Sequence, residues 1–472
     1  MNSFILKISS LFFYQFLFEP LQYFIIETTP SIYLGRLISL LIIGALIYTN
    51  KSALLIRSFI KSLTTFPFLP YTLWTVTGGI VALIHYQEPF YKIRFGIIEP
   101  LIYLIFITLF IILPKSFLRE ELLFKIPKAL LYTFSFLLIF GFLDLICYYF
   151  GFNLLNKSLF NTREIGARFH SFANEPRDYV VACLYYLASL STFFVSPLLG
   201  NTFKKYFKFY LIILIPLAIL SLILTKSFTF IVTASIGLIV LGFTILVKSI
   251  ISLFEYKLYK SYIGGILIGF ILFLSLYLSL NSDELLQSLG LERIFSYLES
   301  FDQLRIYLKE GNSDFVKYLK EIDIRLFFQG SVILPLLEFL FPSNGLDIFY
   351  QFVGNGIGST TDLLKIINED DTLQNSFSQG VRLLYEQGIV GFLFFIYIHF
   401  SIIKNSTLSI NSTRLQKSLF FIFSTFLLIA YLVHRRSEYF LFLGITQLFL
   451  YDKFIDKKIK NINIFTRIKK YE

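Results

Sequence analysis

Long apolar runs separated by short polar segments dominate the sequence. Most runs approach the roughly 20 residues that an α-helix needs to cross a hydrocarbon core about 30 Å thick. The pattern predicts about twelve membrane-spanning helices, near residues 4–25, 31–49, 63–84, 96–114, 126–150, 177–199, 209–224, 227–247, 262–280, 388–403, 418–433 and 438–451. The predicted fold class is therefore all-α: a polytopic membrane protein that forms a single integral domain over residues 1–472.

The composition excludes a soluble protein. Of 472 residues, 56% are hydrophobic and 15% are charged, and the mean hydropathy is +0.70. Soluble domains carry about 25% charged residues. The two cysteines, Cys147 and Cys183, lie in apolar runs and cannot build a disulfide framework or a zinc cluster. The four histidines lack the spacing of a metal site, so we expect neither a metal nor another cofactor.

The basic residues predict the orientation of the chain. With both termini in the cytoplasm, each of five inner loops contains three Lys or Arg residues, and the basic tail 452–472 contains seven. Positive charge therefore accumulates on the cytoplasmic side, as membrane insertion requires. The formal net charge of +11 reflects this topology, and we expect no nucleic-acid partner.

One long polar segment, residues 281–387, has a different charge balance. It contains 8 Lys and Arg residues and 16 Asp and Glu residues. The predicted topology places it on the extracytoplasmic side of the membrane. Its apolar patches at 332–341 and 348–353 predict short helices rather than a linker. We interpret it as an extracytoplasmic cap within the integral domain.

Cationic side chains recur in the polar segments at the predicted outer face. Arginine presents a planar fork of donors that matches phosphate, and it stays charged in a poorly hydrated site. A phosphate ligand would account for these cations. Structural alternatives remain: Lys226 as a snorkelling lysine, Arg382 as the salt-bridge partner of Glu386 four residues later, and Arg435 and Arg436 as an interfacial anchor.

Glycines and helix-end signals accompany these cations. Pro176 suits the first turn of the sixth span. The glycines of residues 354–358 permit a tight turn that either serves as a turn only or exposes N–H groups to an anion.

The order of these segments resembles the O-antigen polymerase and O-antigen ligase superfamily of bacterial envelope enzymes. Residues 168–176 are similar to its Arg-x-x-Gly-x-x-x-(Glu/Asp/Asn)-Pro segment, with Ser171 where glycine is usual. Residues 354–358 resemble its Gly-x-Gly-x-Gly, and residues 375–391 resemble its Asn-Ser followed by Glu-x-Gly-x-x-Gly. Residues 225–227 resemble its Ser-x-Ser-Arg turn in a displaced register. The likeness covers about residues 165–400.

Gln374 favours the polymerase branch, because ligases of the superfamily generally place histidine before the Asn-Ser pair. The resemblance implies a helical fold like that of type C glycosyltransferases. It also implies polymerisation of oligosaccharide repeats, carried on undecaprenyl diphosphate or a similar polyprenyl diphosphate, at the outer face of the bacterial inner membrane. Expected partners are the lipid-linked donor and acceptor, membrane lipid, a chain-length regulator and a flippase. The alternatives are an O-antigen ligase and a lipid-linked oligosaccharide flippase or transporter.

The resemblance also implies roles for particular residues. Glycosyl transfer releases polyprenyl diphosphate, so fixed cations can stabilise the charge that develops on it. The candidate diphosphate ligands are Arg168, Lys226, Arg325, Arg382, Arg435 and Arg436. Arg168 and Arg325 are also candidate catalytic residues, together with Glu175 and Glu386 as unranked candidate general bases. The structural motif residues are Pro176, Gly354, Gly356, Gly358, Asn375, Gly388 and Gly391.

Overall fold

The described part of the chain is built almost entirely from helices. The computed structural model describes residues 2–20, 24–26, 32–48, 53, 56, 57, 59, 60, 67–152, 169, 171, 173, 176–199, 203–254, 339, 347–360, 378–434 and 436–450. The helices are α1 (Asn2–Phe18), α2 (Leu34–Tyr48), α3 (Phe68–His85), α4 (Pro89–Phe117), α5 (Glu120–Tyr149), α6 (Pro176–Val195), α7 (Phe207–Leu224), α8 (Phe228–Phe254), α9 (Asp347–Val353), α10 (Gln379–Lys404), α11 (Arg414–Val433) and α12 (Glu438–Leu450). Strands β1 (Phe24–Ile26) and β2 (Ile32–Tyr33) form a short antiparallel ribbon.

Seven of the described helices are long and apolar enough to cross a membrane. They are α3, α4, α5, α6, α7, α10 and α11. Three further apolar helical segments, 36–48, 229–244 and 438–450, are shorter than these seven helices. On α5, the large apolar side chains of Tyr132, Phe136, Ile139 and Leu143 are exposed at helical spacing. Such a continuous apolar stripe is unfavourable in water and suits contact with lipid. The chain is accordingly a membrane protein.

Helix α6 is the centre of the bundle. Every residue of its apolar window is buried, and its most extensive contacts are with α11 and α12. Its tyrosine hydroxyls are satisfied by neighbouring helices, since Tyr185 and Tyr186 donate to the carbonyl oxygens of Phe16 and Leu17 at 3.0 and 3.2 Å. These carbonyls belong to the last turn of α1, where no intrahelical donor remains. The tyrosines thereby fix α1 against the bundle centre.

Helix α4 contains two π-helical turns, at Arg94–Ile98 and Ile107–Ile112. A π-turn inserts an extra residue and rotates the following side chains about the helix axis. Glu99 directly follows the first of these turns and is buried. The irregularity of α4 therefore sets the direction of an ionisable residue inside an apolar helix.

Helix α10 is broken at Gly388, which has φ 69° and ψ −178°. A Cβ atom at this position would lie 2.3 Å from the carbonyl oxygen of Phe352, so the close approach of α9 requires glycine. Gly354, in the segment after α9, has φ 89°, and a Cβ atom there would lie 2.4 Å from the carbonyl oxygen of Glu386. The two glycines thus face each other at a backbone contact between the segment after α9 and α10.

The helices overlap the predicted spans but differ from them at several ends, and the ends of α1 and α10 have an identifiable cause. Each predicted run contains a helix, apart from 262–280, which lies outside the described residues. Helix α1 ends at Phe18, before Pro20 can interrupt it, rather than near residue 25. Helix α10 begins at Gln379, nine residues before the predicted 388, because polar side chains of its first turns are paired inside the protein. The total of twelve spans and the sides of the membrane stay predictions.

Two predicted segments are described only in part or not at all. Of the cap 281–387, the structure describes 339, 347–360 and 378–387, and the apolar patch at 348–353 lies in helix α9. The basic tail 452–472 lies outside the described residues.

We expect Gly388→Ala to lower the free energy of unfolding by about 2 kcal/mol or more, because alanine is strained at positive φ and its Cβ would collide with Phe352. The matched control is Gly242→Ala in α8, where nothing lies within 4 Å of the added Cβ and alanine favours the helix by about 1 kcal/mol. Denaturant unfolding in detergent micelles measures both variants. Equal stabilities would contradict the role given to the break.

Candidate functional site

Four buried polar residues form an arginine–carboxylate cluster at the start of α10: Glu99, Thr360, Arg382 and Glu386. Arg382 donates from Nε and Nη2 to the two carboxylate oxygens of Glu386, each at 3.2 Å. The Thr360 hydroxyl donates to the same carboxylate, and Glu99 Oε2 lies 3.9 Å from Arg382 Nη2. Arg382, Glu386 and Glu99 are only 5%, 4% and 8% exposed. The predicted pairing of Arg382 with Glu386 therefore exists and includes a third charged residue.

Carboxylates are the described partners of the arginine in this cluster. Arg382 lies against both Glu386 and Glu99. Charges this deeply buried are held only where their partners satisfy them, since desolvation costs several kcal/mol per ion. Arg382 therefore pairs with carboxylates in this structure, and its role as a diphosphate ligand stays a prediction.

The glycine-containing segment 354–358 packs against the break in α10. Two of its N–H groups bind α10: Asn355 donates to the Tyr385 carbonyl and Gly356 to the Glu386 carbonyl, both at 2.9 Å. The indole of Trp74 donates to the next carbonyl, that of Gln387, at 2.8 Å. These bonds satisfy carbonyls that the break removes from the helical ladder. The segment therefore serves as a backbone clamp on α10, and the N–H groups of Asn355 and Gly356 are not presented to an anion.

Three residues form a second cluster, the histidine cluster, where α11 ends and α6 begins: Asp178, His434 and Arg436. Asp178 Oδ1 lies 2.8 Å from His434 Nε2, and Arg436 forms an ion pair with the same carboxylate oxygen. Burial lowers the pKa of His434 to about 4, so its imidazole is neutral near pH 7. Arg436 therefore supplies the charge that balances Asp178, and the nearby Arg177 adds a further cation that also lowers the pKa of His434.

A hydrogen bond connects the regions of the two clusters. The Ser378 hydroxyl donates to the Leu432 carbonyl at 3.0 Å, and it also accepts from the Val381 N–H as the N-cap of α10. Leu432 lies two residues before His434, while Val381 adjoins Arg382. Both clusters consequently lie at the same end of the bundle, where α6, α10 and α12 begin and α11 ends.

The segment before α6 also reaches this end of the molecule. The Phe169 N–H donates to the Leu224 carbonyl at 3.0 Å, which places this segment against the turn that contains Lys226. Lys226 is half-buried with φ 47°. Ser171 has φ 48°, a conformation that glycine adopts readily, which explains physically why glycine suits this position. Pro176 is the first residue of α6, as predicted.

The remaining predicted site residues have defined positions or lie outside the described residues. Gly358 has φ 91° and its Cβ would collide with Phe95, and Gly391 packs against the Trp74 ring. Outside the described residues lie Arg168, Glu175, Arg325, Gln374, Asn375 and Arg435.

The sequence predictions did not single out Glu99, Thr360 or Asp178. A signal for Glu99 was present, because it is an acidic residue within an apolar run, and ionisable residues at membrane depth are rare and often functional. Asp178 looked like an ordinary acidic residue in the first turn of a helix. Nothing in the sequence distinguished Thr360, whose partner is distant along the chain.

Comparison with known proteins found no match: no model of a protein family matches the chain, and neither does any curated protein.

We expect Arg382→Met to lower the free energy of unfolding by about 3–5 kcal/mol, because it leaves Glu99 and Glu386 buried without their cation. Adding Glu386→Gln should recover part of this loss. Lys404→Met, an exposed basic residue at the other end of α10, is the matched control. Denaturant unfolding in micelles measures all three, and a loss no larger than that of the control would argue against the cluster.

We expect the contribution of His434 to the free energy of unfolding to fall as the pH drops from about 6.5 to about 4. In this window the unfolded state binds more protons at His434 than the folded state, whose pKa is about 4 against 6.5. His434→Gln should remove up to about 3 kcal/mol of this pH dependence. His85→Gln, which changes an exposed histidine, should leave it unchanged. Thermal unfolding at pH 7 and pH 4.5 compares the variants, and parallel pH dependences would refute the assignment.

Proposed function

We propose that this chain is a metal-independent glycosyltransferase that polymerises oligosaccharide repeat units carried on polyprenyl diphosphate, at the outer face of a bacterial inner membrane. The observation that carries the proposal is the position of the motif segments. Residues that are distant along the chain meet at one end of a membrane helix bundle. Asp178 contacts Arg436 there, and the segment 354–358 contacts the backbone of Glu386.

The histidine cluster brings two arginines to this end of the bundle. Arg436 pairs with Asp178 beside the neutral His434 and the nearby Arg177, and the buried carboxyl groups of Glu19 and Glu438 also lie within electrostatic reach of Arg436. Fixed, poorly hydrated cations stabilise negative charge strongly. We assign the departing diphosphate to this cluster and, as predicted from the sequence, to Arg168, Arg325 and Arg435.

The arginine–carboxylate cluster offers the complementary chemistry. In the proposed reaction, a hydroxyl oxygen of the acceptor sugar forms a bond to the anomeric carbon of the donor. The anomeric C–O bond to the diphosphate breaks, and the diphosphate leaves with the electron pair. A carboxylate accepts the hydroxyl proton, a role that the resemblance gives to Glu175 or Glu386.

A lipid-linked oligosaccharide flippase or transporter is the second candidate. The observation that favours it is the broken helix α10, with Gly388 next to the buried Arg382 and Glu386. Discontinuous helices beside ionisable residues are also typical of transporters. An O-antigen ligase remains a third possibility within the same chemistry.

Reconstitution tests these functions. The full-length protein in phosphatidylethanolamine–phosphatidylglycerol vesicles is supplied with lipid-linked repeats isolated from cells that encode it. We expect longer glycan on one carrier, and an elongation rate about 100-fold lower in Arg436→Gln, because a transition-state cation is lost. Arg414→Gln, an exposed arginine at the opposite end of α11, should retain the rate within about twofold.

Other outcomes contradict the proposal. Movement of the repeats across the bilayer without extension would identify a flippase. Transfer of the glycan to a lipid A core would identify a ligase.

A further inference from the structure

We propose that the cavity between the last turns of α10 and the first turns of α11 binds one anionic phospholipid. An acyl chain would lie against the aromatic wall of the cavity, with the headgroup phosphate at Lys404 and Lys417. The cavity is at the opposite end of the bundle from the two clusters, because α10 begins at the clusters and ends at Lys404. A lipid site here is therefore independent of the proposed glycosyl transfer.

The cavity has the size and the mixed lining of a ligand site. Its volume is about 530 Å³. Sites for small molecules usually measure about 300–1,000 Å³ and combine apolar walls with a few polar groups. Tyr397, Phe400 and Phe421 supply the aromatic wall, and Ser401 and Ser424 are buried polar residues of the lining. Phe400 and Phe421 are 54% and 45% exposed, so the cavity is accessible from the lipid-facing surface.

The aromatic face of each helix leads to a lysine. On α10, Tyr397, Phe400 and Lys404 are spaced three and four residues apart, and on α11 Lys417 precedes Phe421 by four residues, so each set shares one helix face. The two helices run in opposite directions, since the start of α10 is bonded to the end of α11. Both lysines consequently lie at the same end of the cavity.

The charge of these lysines selects the class of lipid. Lys404 is exposed and lines the cavity, and Lys417 is half-buried. Neither side chain forms an ion pair with an acidic residue in the part of the chain that the structure describes. Basic residues near the membrane surface attract anionic headgroups. Free phosphate would leave the aromatic wall uncovered, and a lipid without net charge would leave the lysines without a counter-ion, whereas an anionic phospholipid satisfies both.

His399 adds a buried polar group on the acyl side of the lysines. It lines the cavity, is 1% exposed, and its Nδ1 lies 3.1 Å from the Tyr439 hydroxyl. With Tyr439 donating to Nδ1, the proton of the neutral ring is on Nε2, which has no hydrogen-bond partner among the described residues. His399 precedes Lys404 by five residues, or about 7.5 Å along the helix axis. The ester carbonyls of a phospholipid also lie on the acyl side of its phosphate, and they accept hydrogen bonds.

Binding of phosphatidylglycerol to the full-length protein in detergent micelles tests the headgroup contact, with native mass spectrometry as the measurement. We expect one retained molecule per protein. The double variant Lys404→Gln with Lys417→Gln should raise the Kd about 10-fold or more, because two cations near the headgroup are lost. The matched control is Lys128→Gln, an exposed lysine near the start of α5, which should bind with a Kd within about twofold of wild type.

A second variant tests the cavity while both lysines remain. Thr425→Phe places a ring in the cavity and should also raise the Kd about 10-fold or more, because the ring excludes the acyl chain. Thr244→Phe in α8 is its matched control, since each threonine hydroxyl donates to the carbonyl four residues earlier on an exposed helix surface. Thermal unfolding with added phosphatidylglycerol should raise the Tm of wild type and of both controls, and it should raise the Tm of the two test variants less.

Three results would overturn the proposal. One is a Kd within about twofold of wild type in both test variants. Another is equal retention of phosphatidylcholine, whose headgroup has no net charge, since this would show that the cavity takes any surrounding lipid. The last is displacement of bound phosphatidylglycerol by an equimolar amount of undecaprenyl diphosphate, which would identify the carrier lipid as the occupant.

Discussion

The pairing of charges that are buried away from water is the constraint on which this end of the molecule depends. In a bundle surrounded by lipid, a buried ion must find its partner within the protein, because isolated charge costs several kcal/mol. Arg382 requires Glu386 and Glu99, and Asp178 requires Arg436. These pairs determine which faces of α4 and α10, and which ends of α6 and α11, can lie against each other.

The break in α10 is the second feature that organises the site. It removes three successive carbonyls from the helical ladder, and these are satisfied by Asn355, Gly356 and Trp74 from other parts of the chain. Because the satisfied carbonyls belong to residues 385–387, the same contacts fix the backbone that carries Glu386. Backbone packing and carboxylate position are therefore coupled, and the glycines near 354 and at 388 are required by close approach rather than by a ligand.

Both clusters pair buried charges of opposite sign at the same end of the bundle. Asp178 lies against Arg436, with Glu19 and Glu438 within electrostatic reach, and Arg382 lies against Glu386 and Glu99. The proposed glycosyl transfer needs a cation beside the departing diphosphate and a proton acceptor beside the sugar hydroxyl, and the two clusters contain both kinds of group.

The sequence by itself determined the helical membrane fold and the contacts between near neighbours. Apolar runs of membrane length predict spans because lipid leaves backbone groups few alternatives to a helix, and the four-residue spacing predicted the pairing of Arg382 with Glu386. Only the tertiary structure decided that residues 379–387 are helical, that Glu99 joins Arg382, and that Asp178 meets Arg436. The physical reason is that a helix fixes its own periodicity locally, whereas the partner of a buried charge depends on which helix faces are packed together.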